Sequence, residues 1–183
     1  MVWWQMLAMY LCSDGLPIGK SSKFQQYAGV TDEFQNRDNR MGNNMLYHGQ
    51  QYWNNDGKWR TTWTDADLTS SLTANVRSGS GYQNRKWGTE RQVEDSYDFP
   101  VIRYAEVLLN YAEAVYELNG TITDSELDYS LNKVRLRVNP SMPKLSSTLV
   151  SANNLSMREE IRRERTVELV LEGFRIDDLK RWA

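Results

Sequence analysis

Between Tyr52 and Arg60 the chain reads YWNNDGKWR, a stretch that holds the parts of a sugar-binding loop. The apolar face of a sugar ring lies on an aromatic side chain, and nearby amides, carboxylates and arginines take its hydroxyls. Tyr52, Trp53 and Trp59 offer the rings, while Asn54, Asp56 and Arg60 offer the polar groups. Asn55-Asp56-Gly57 is a turn signal, so the two indoles are expected to flank a loop. The competing reading is packing, because tryptophans are mostly buried and a segment poor in aliphatics must find its core somewhere. Trp53 and Trp59 stand open to both readings. Trp63, Trp87 and Tyr97 read as core, as do Trp3 and Trp4 on an apolar helix.

A second constellation lies near the C-terminus, in SMREEIRRERTVELVLEGFRIDDLKRWA (Ser156 to Ala183). Thr166, Val167, Leu169, Val170 and Leu171 span most of a helix circumference, so this segment is expected to be buried on more than one side. Yet Glu164, Glu168 and Glu172 recur within it every fourth residue. A buried carboxylate must be paired and hydrogen-bonded, and a planar guanidinium suits it well. Arg165, Arg175 and Arg181 are the nearest donors, which predicts a helix–turn–helix corner locked by internal ion pairs. Arg37, Asp38 and Arg40 in NRDNR read the same way, as an internal ion-pair knot. Both groups are assigned to structure.

Enzyme chemistry finds little purchase. His48 is the sole histidine, so zinc sites that need two imidazoles are excluded. Gly79-Ser80-Gly81 lacks the spacing of a nucleophile elbow, and no phosphate-cradling or dinucleotide loop occurs. Asp124, Glu126 and Asp128 open with a calcium-loop rhythm, but Tyr129 stands where glycine is required and Arg135 where the bidentate glutamate belongs. They read instead as favourable acids at a helix start. No cofactor is implied. A net charge of -2, with no dominant basic stripe, points away from nucleic acid. Cys12 is the single cysteine, which rules out an internal disulfide. The start VWWQMLAMYLC resembles a lipidated leader only superficially. It lacks a basic opening, and Met9, Tyr10 and Leu11 are bulky where processing wants small residues, so a helix running into the Asp14-Gly15-Leu16-Pro17 turn is expected.

The scaffold that must position these groups divides by texture near Asp98. Up to that point the chain is rich in Gly, Asn, Ser, Trp and Tyr and reads as loops with short helices or strands. Beyond it come periodic helices. The first is expected from Asp98 and Pro100 to Asn119-Gly120, with Val101, Ala105, Leu108, Ala112 and Val115 inward and Arg103, Glu106, Asn110, Glu113 and Glu117 on another face. The second opens on a Thr123–Glu126 capping box and runs along Leu127, Leu131, Val134 and Val138 to Asn139-Pro140. The third starts at Ser156 with Glu159 at capping-box spacing, after a loop from Pro140 to Leu155, and stops at Gly173. Such helices imply stacked antiparallel pairs.

Taken in order, YLCSDGLPI (Tyr10 to Ile18), NRDNR, FPVIRYAEVLLNYAEAVYELNG (Phe99 to Gly120), LDYSLNKVRLRVN (Leu127 to Asn139) and ERTVELVLEGFRIDDLKRW (Glu164 to Trp182) resemble the landmarks of SusD/RagB-family proteins. These are surface glycan-binding lipoproteins of Bacteroidota outer membranes. The resemblance implies a mainly α fold of tetratricopeptide-like helix pairs carrying long irregular aromatic-rich loops. It also implies non-catalytic binding of oligosaccharide and delivery to a SusC-like TonB-dependent transporter. The alternative is a helical-repeat scaffold that docks a protein or peptide. Residues 1–183 are then expected to be one SusD-like domain fragment cut at both ends, with its lipid signal upstream. Residues 1–98 would carry the candidate glycan site and 99–183 the helical scaffold.

Overall fold

In the computed structural model the chain is described at residues 3–27, 29, 31–47, 50, 52–53, 59–60, 83–87 and 100–183, with backbone alone at 3, 52, 53, 59, 60 and 83. Among these residues the fold is mainly α, as the periodicity and the resemblance imply. The helices are α1 (Trp3–Met9), α2 (Asn39–Asn44), α3 (Tyr104–Asn119), α4 (Asp124–Tyr129), α5 (Leu131–Val138), α6 (Ser147–Ala152), α7 (Met157–Glu168) and α8 (Arg175–Trp182). Short antiparallel ladders join β1 (Met45–Leu46) to β4 (Gln83–Asn84) and β2 (Tyr52–Trp53) to β3 (Trp59–Arg60).

Small and aliphatic residues on a three-four rhythm let α3 settle against α5 and α7. Ala105, Leu108, Leu109 and Ala112 are buried together with Leu127, Leu131, Val134, Ile161 and Leu169. The alanines allow close approach, and each buried leucine contributes about 1.5–3 kcal/mol. A second core, rich in adaptable methionine, joins Met6, Leu7 and Tyr10 of the N-terminal segment to Met41, Met45 and Val167. It seats α1 on α7. Past α1, Cys12 is buried and its amide donates to Leu16, so the chain runs into the expected turn, with Gly15 left-handed at φ 77°. Trp4, read as core, is 56% exposed.

Several boundaries differ from the sequence expectation, each for a tertiary reason. Helix α3 begins at Tyr104 and leaves Val101 exposed, because Arg103 is extended and its side chain is committed to glutamates of another segment. Glu113, placed on the outer face, is buried between Arg181 and Trp182. The Thr123–Glu126 capping box is formed in both directions. The helix it opens breaks at Ser130, whose φ of -121° and ψ of -96° lie outside the helical region. The loop before Ser156 contains α6, capped by Ser146. Helix α7 stops at Glu168 and not at Gly173, with Leu171 left-handed at φ 62°. Helix ends leave carbonyls without partners. Here the Lys86 ammonium takes those of Glu168 and Val170 at 3.1 and 2.8 Å, and the Trp87 indole N–H takes that of Leu171 at 3.1 Å. Distant donors thus let the helix unwind early.

Gly120 closes α3 at φ 71°, and a methyl group added there would meet nothing within 4 Å. Its value is therefore backbone freedom alone. Gly120→Ala is expected to cost about 1–2 kcal/mol in urea denaturation, and Gly120→Asn less, since asparagine visits the left-handed region more readily. Equal costs for the two would show that the position has no conformational demand.

Candidate functional site

Helix α7 carries Glu164 and Glu168 one turn apart, and the turn after it brings Glu172 alongside. All are nearly sealed, with side chains 1%, 3% and 5% exposed. Their partners are not the neighbouring arginines that the spacing favoured. Glu164 lies 2.7 Å from Arg40, an ion contact outside hydrogen-bond geometry, and accepts from Arg135 at 3.0 Å. Glu168 accepts from Arg40 at 3.1 Å, Arg103 at 3.0 Å and Arg137 at 2.8 Å. Glu172 accepts from Lys86 at 2.6 Å and Arg103 at 2.7 Å. The expected donors face elsewhere. Arg165 holds Asp178 through both carboxylate oxygens at 2.9 Å, Arg175 donates to the Thr166 hydroxyl, and Arg181 pairs with Glu113 and Asp178. The corner is ion-paired, but Glu164, Glu168 and Glu172 are tied to α2, to α5, to Arg103 at the start of α3 and to Lys86 just after β4, not to α8.

The NRDNR segment supplies the hub. Arg40 grips the Asp38 carboxylate at 2.6–3.2 Å while touching Glu164 and Glu168, and Asn139 donates to Asp38 at 2.9 Å. Arg37 stands outside this knot. Its guanidinium donates to the carbonyls of Leu7, Tyr10 and Glu33, so it ties α1 to the turn before α2. Burial alone would raise the Glu168 carboxyl, but Arg40 and Arg137 hold it below its ordinary 4.5. Asp38 follows the same pattern: burial is outweighed by Arg40, and the group sits below 3.8. Both are firmly ionised, which suits anchoring and not proton donation. Lys86 is pushed down by burial, with Glu172 only partly restoring its charge preference.

These charges floor a cleft of about 350 Å³ lined by Arg40, Asn44, Lys86, Trp87, Arg103 and Glu172. Trp87, read as core, is half-buried on its wall, left-handed at φ 70°, with the Lys86 ammonium 5.5 Å from the ring centre. Sequence reasoning missed this tryptophan as a cleft residue because nothing local marks it. Its placement follows from the long-range hydrogen bond that its indole N–H donates to the Leu171 carbonyl.

Of the candidate loop, the ladder β2–β3 sets Tyr52 opposite Arg60 and Trp53 opposite Trp59. Asn54 and Asp56 lie outside the described residues, as do Trp63 and Tyr97. The acids Asp124, Glu126 and Asp128 do not converge on one point. Asp124 accepts from Ser147, Glu126 from Thr123, and Asp128 from Asn132 and Lys144.

Among the described residues, the helical frame is cross-braced by buried ion pairs, and a short antiparallel ladder sets Trp53 across from Trp59. The SusD family model matches residues 1–183, and the chain belongs to that family. Proteins of this family bind glycans at the cell surface, are generally non-catalytic and are typically associated with the outer membrane. The solved structure of selenomethionine BT4246 superposes with a TM-score of 0.73 at 24% identity, which shows a shared fold. That match covers 98% of this chain and 34% of the other, so the chain spans about a third of its length. No curated protein matches the sequence. No helix among the described residues is long and apolar enough to cross a membrane.

Proposed function

We propose that this chain forms part of a non-catalytic site that holds oligosaccharide at the bacterial cell surface, as a lipoprotein of the outer membrane, for delivery to a SusC-like TonB-dependent transporter. The observation that carries the reading is the β2–β3 register, which sets Trp53 across from Trp59 within a chain of the SusD family. In this reading Tyr52, Trp53 and Trp59 take the apolar faces of sugar rings. Asn54, Asp56 and Arg60 take hydroxyls, since a site of this kind is mostly apolar with a few placed polar groups.

The test is a titration of the protein with a panel of glycans, followed by tryptophan fluorescence, with reducing ends assayed after long incubation. Saturable quenching without new reducing ends is expected. Trp53→Ala and Trp59→Ala should each weaken binding about tenfold or more while melting with the parent. A core tryptophan would instead cost roughly 3–5 kcal/mol of stability. If both variants unfold, these side chains are core and the site assignment fails. New reducing ends would make the protein an enzyme.

A further inference from the structure

Helices α7 and α8 line another cleft, of about 420 Å³, whose wall carries Arg162, Arg163, Arg175, Trp182, Leu179 and one acid, Glu159. Counting counter-charges around it leaves a surplus. Arg163 holds Glu160 at 3.1 Å and the Met9 carbonyl at 3.3 Å. Arg162 lies 3.5 Å from Glu117 and 3.9 Å from Glu159, contacts too long for good hydrogen bonds. Arg175 donates only to the Thr166 hydroxyl at 2.7 Å, and no carboxylate among the described residues pairs with it. Burial lowers its proton affinity, and Asp178 only partly opposes that. The Nε groups of both Arg162 and Arg175 are buried without a hydrogen-bond acceptor.

Three guanidiniums gather on one ring, with Arg162 at 5.1 Å and Arg175 and Arg181 at 5.5 Å from the centre of Trp182. Arg181 is paired with Glu113 and Asp178, which leaves Arg162 and Arg175 without a hydrogen-bonded carboxylate. An indole holds a single cation well, but two like charges on it repel unless an anion joins them. A guanidinium fork presents parallel N–H donors that match a planar or tetrahedral oxyanion. Arg175 further lines an adjoining hollow of about 320 Å³ with Leu169, Val170, Phe174 and Ile176, so an anion seated here would have apolar surface beside it.

We propose that Arg162, Arg175 and Trp182 form an oxyanion site that receives a carboxylate or sulfate group, either free or carried on a sugar ring. The site uses none of the residues between Tyr52 and Arg60, so it stands or falls separately from the glycan reading above.

Isothermal titration of the protein with sodium glucuronate, sodium sulfate and glucose, at constant ionic strength, tests it. Saturable binding of glucuronate or sulfate, with none of glucose, is expected. Glucuronate alone would mark an acidic sugar as the source, and sulfate alone a free or ester anion. Arg175→Gln and Arg175→Lys should each weaken that binding about tenfold or more, the lysine because it keeps the charge but loses the fork. Arg162→Gln should do the same, and decides the matter if Arg175 variants fail to fold. Absence of saturation by both anions up to about 10 mM, or unchanged affinity in folded variants, would overturn the site.

Discussion

Glu168→Ala is expected to lower stability by about 3–5 kcal/mol, because it removes a buried carboxylate that three guanidiniums share. For a chain of this size that is a fall in Tm of roughly 6–20 °C. Three guanidiniums converge on Glu168, from positions 128, 65 and 31 residues away in sequence. They do not suffer equally. Arg137 is half-exposed and can turn to water, and Arg103 keeps Glu172. Arg40 keeps Asp38 and Glu164, but its side chain is 6% exposed, so the N–H that Glu168 accepted is left buried without an acceptor and carries most of the penalty. The contrast is Asp128, whose pair with Lys144 is about half-exposed on both sides and whose removal should barely move the melting curve. A Glu168→Ala protein that melts with its parent would mean that this carboxylate is solvated.

Arg40→Met should be as severe and should also change the sign of the pH response. With Arg40 present, Asp38 and Glu168 have folded-state values below their ordinary 3.8 and 4.5. Their contribution is therefore complete above those values and is lost as acid carries the pH down through the folded-state ones. Remove Arg40 and three carboxylates, Asp38, Glu164 and Glu168, face one another with less compensation. The folded-state values of Asp38 and Glu168 should rise above the unfolded ones, so folding takes up protons and the variant gains stability as pH falls from 7 towards 5. Glu160 in the parent already leans this way, burial raising it more than Arg163 lowers it. Urea midpoints measured at intervals between pH 7 and 4 check the prediction. Parallel curves for parent and variant would show that Arg40 does not set these carboxylates' ionisation.

Much of the scaffold was legible because it is local. The Thr123–Glu126 box, the Ser156 cap, the left-handed Gly120 and the stripe Ala105–Leu108–Ala112 each depend on residues within a turn or two of one another. The burial of Glu164 and Glu168 was legible too, since charges threaded among Val167 and Leu169 cannot all reach water. Their partners were not. Spacing along one helix favours neighbours such as Arg165, yet that side chain turns to Asp178, and Arg40 arrives from another helix. Of the candidate site, Asn55-Asp56-Gly57 lies outside the described residues, and the β2–β3 ladder sets Trp53 opposite Trp59.

From the order of its amino acids alone, then, this chain commits to its main apolar helix stripes, to the caps at Thr123, Ser156 and Gly120, and to acids that must be buried and neutralised. Those are short-range consequences of hydrogen-bond satisfaction and apolar periodicity. Three-dimensional packing chose which cation meets which acid, where α3 starts, why α7 stops at Glu168, and that Trp87 lines a cleft. The reason is physical: any of the 22 lysines and arginines satisfies a carboxylate in principle, and only the docking of α2, α3 and α5 on α7 brings particular ones within 3 Å or so.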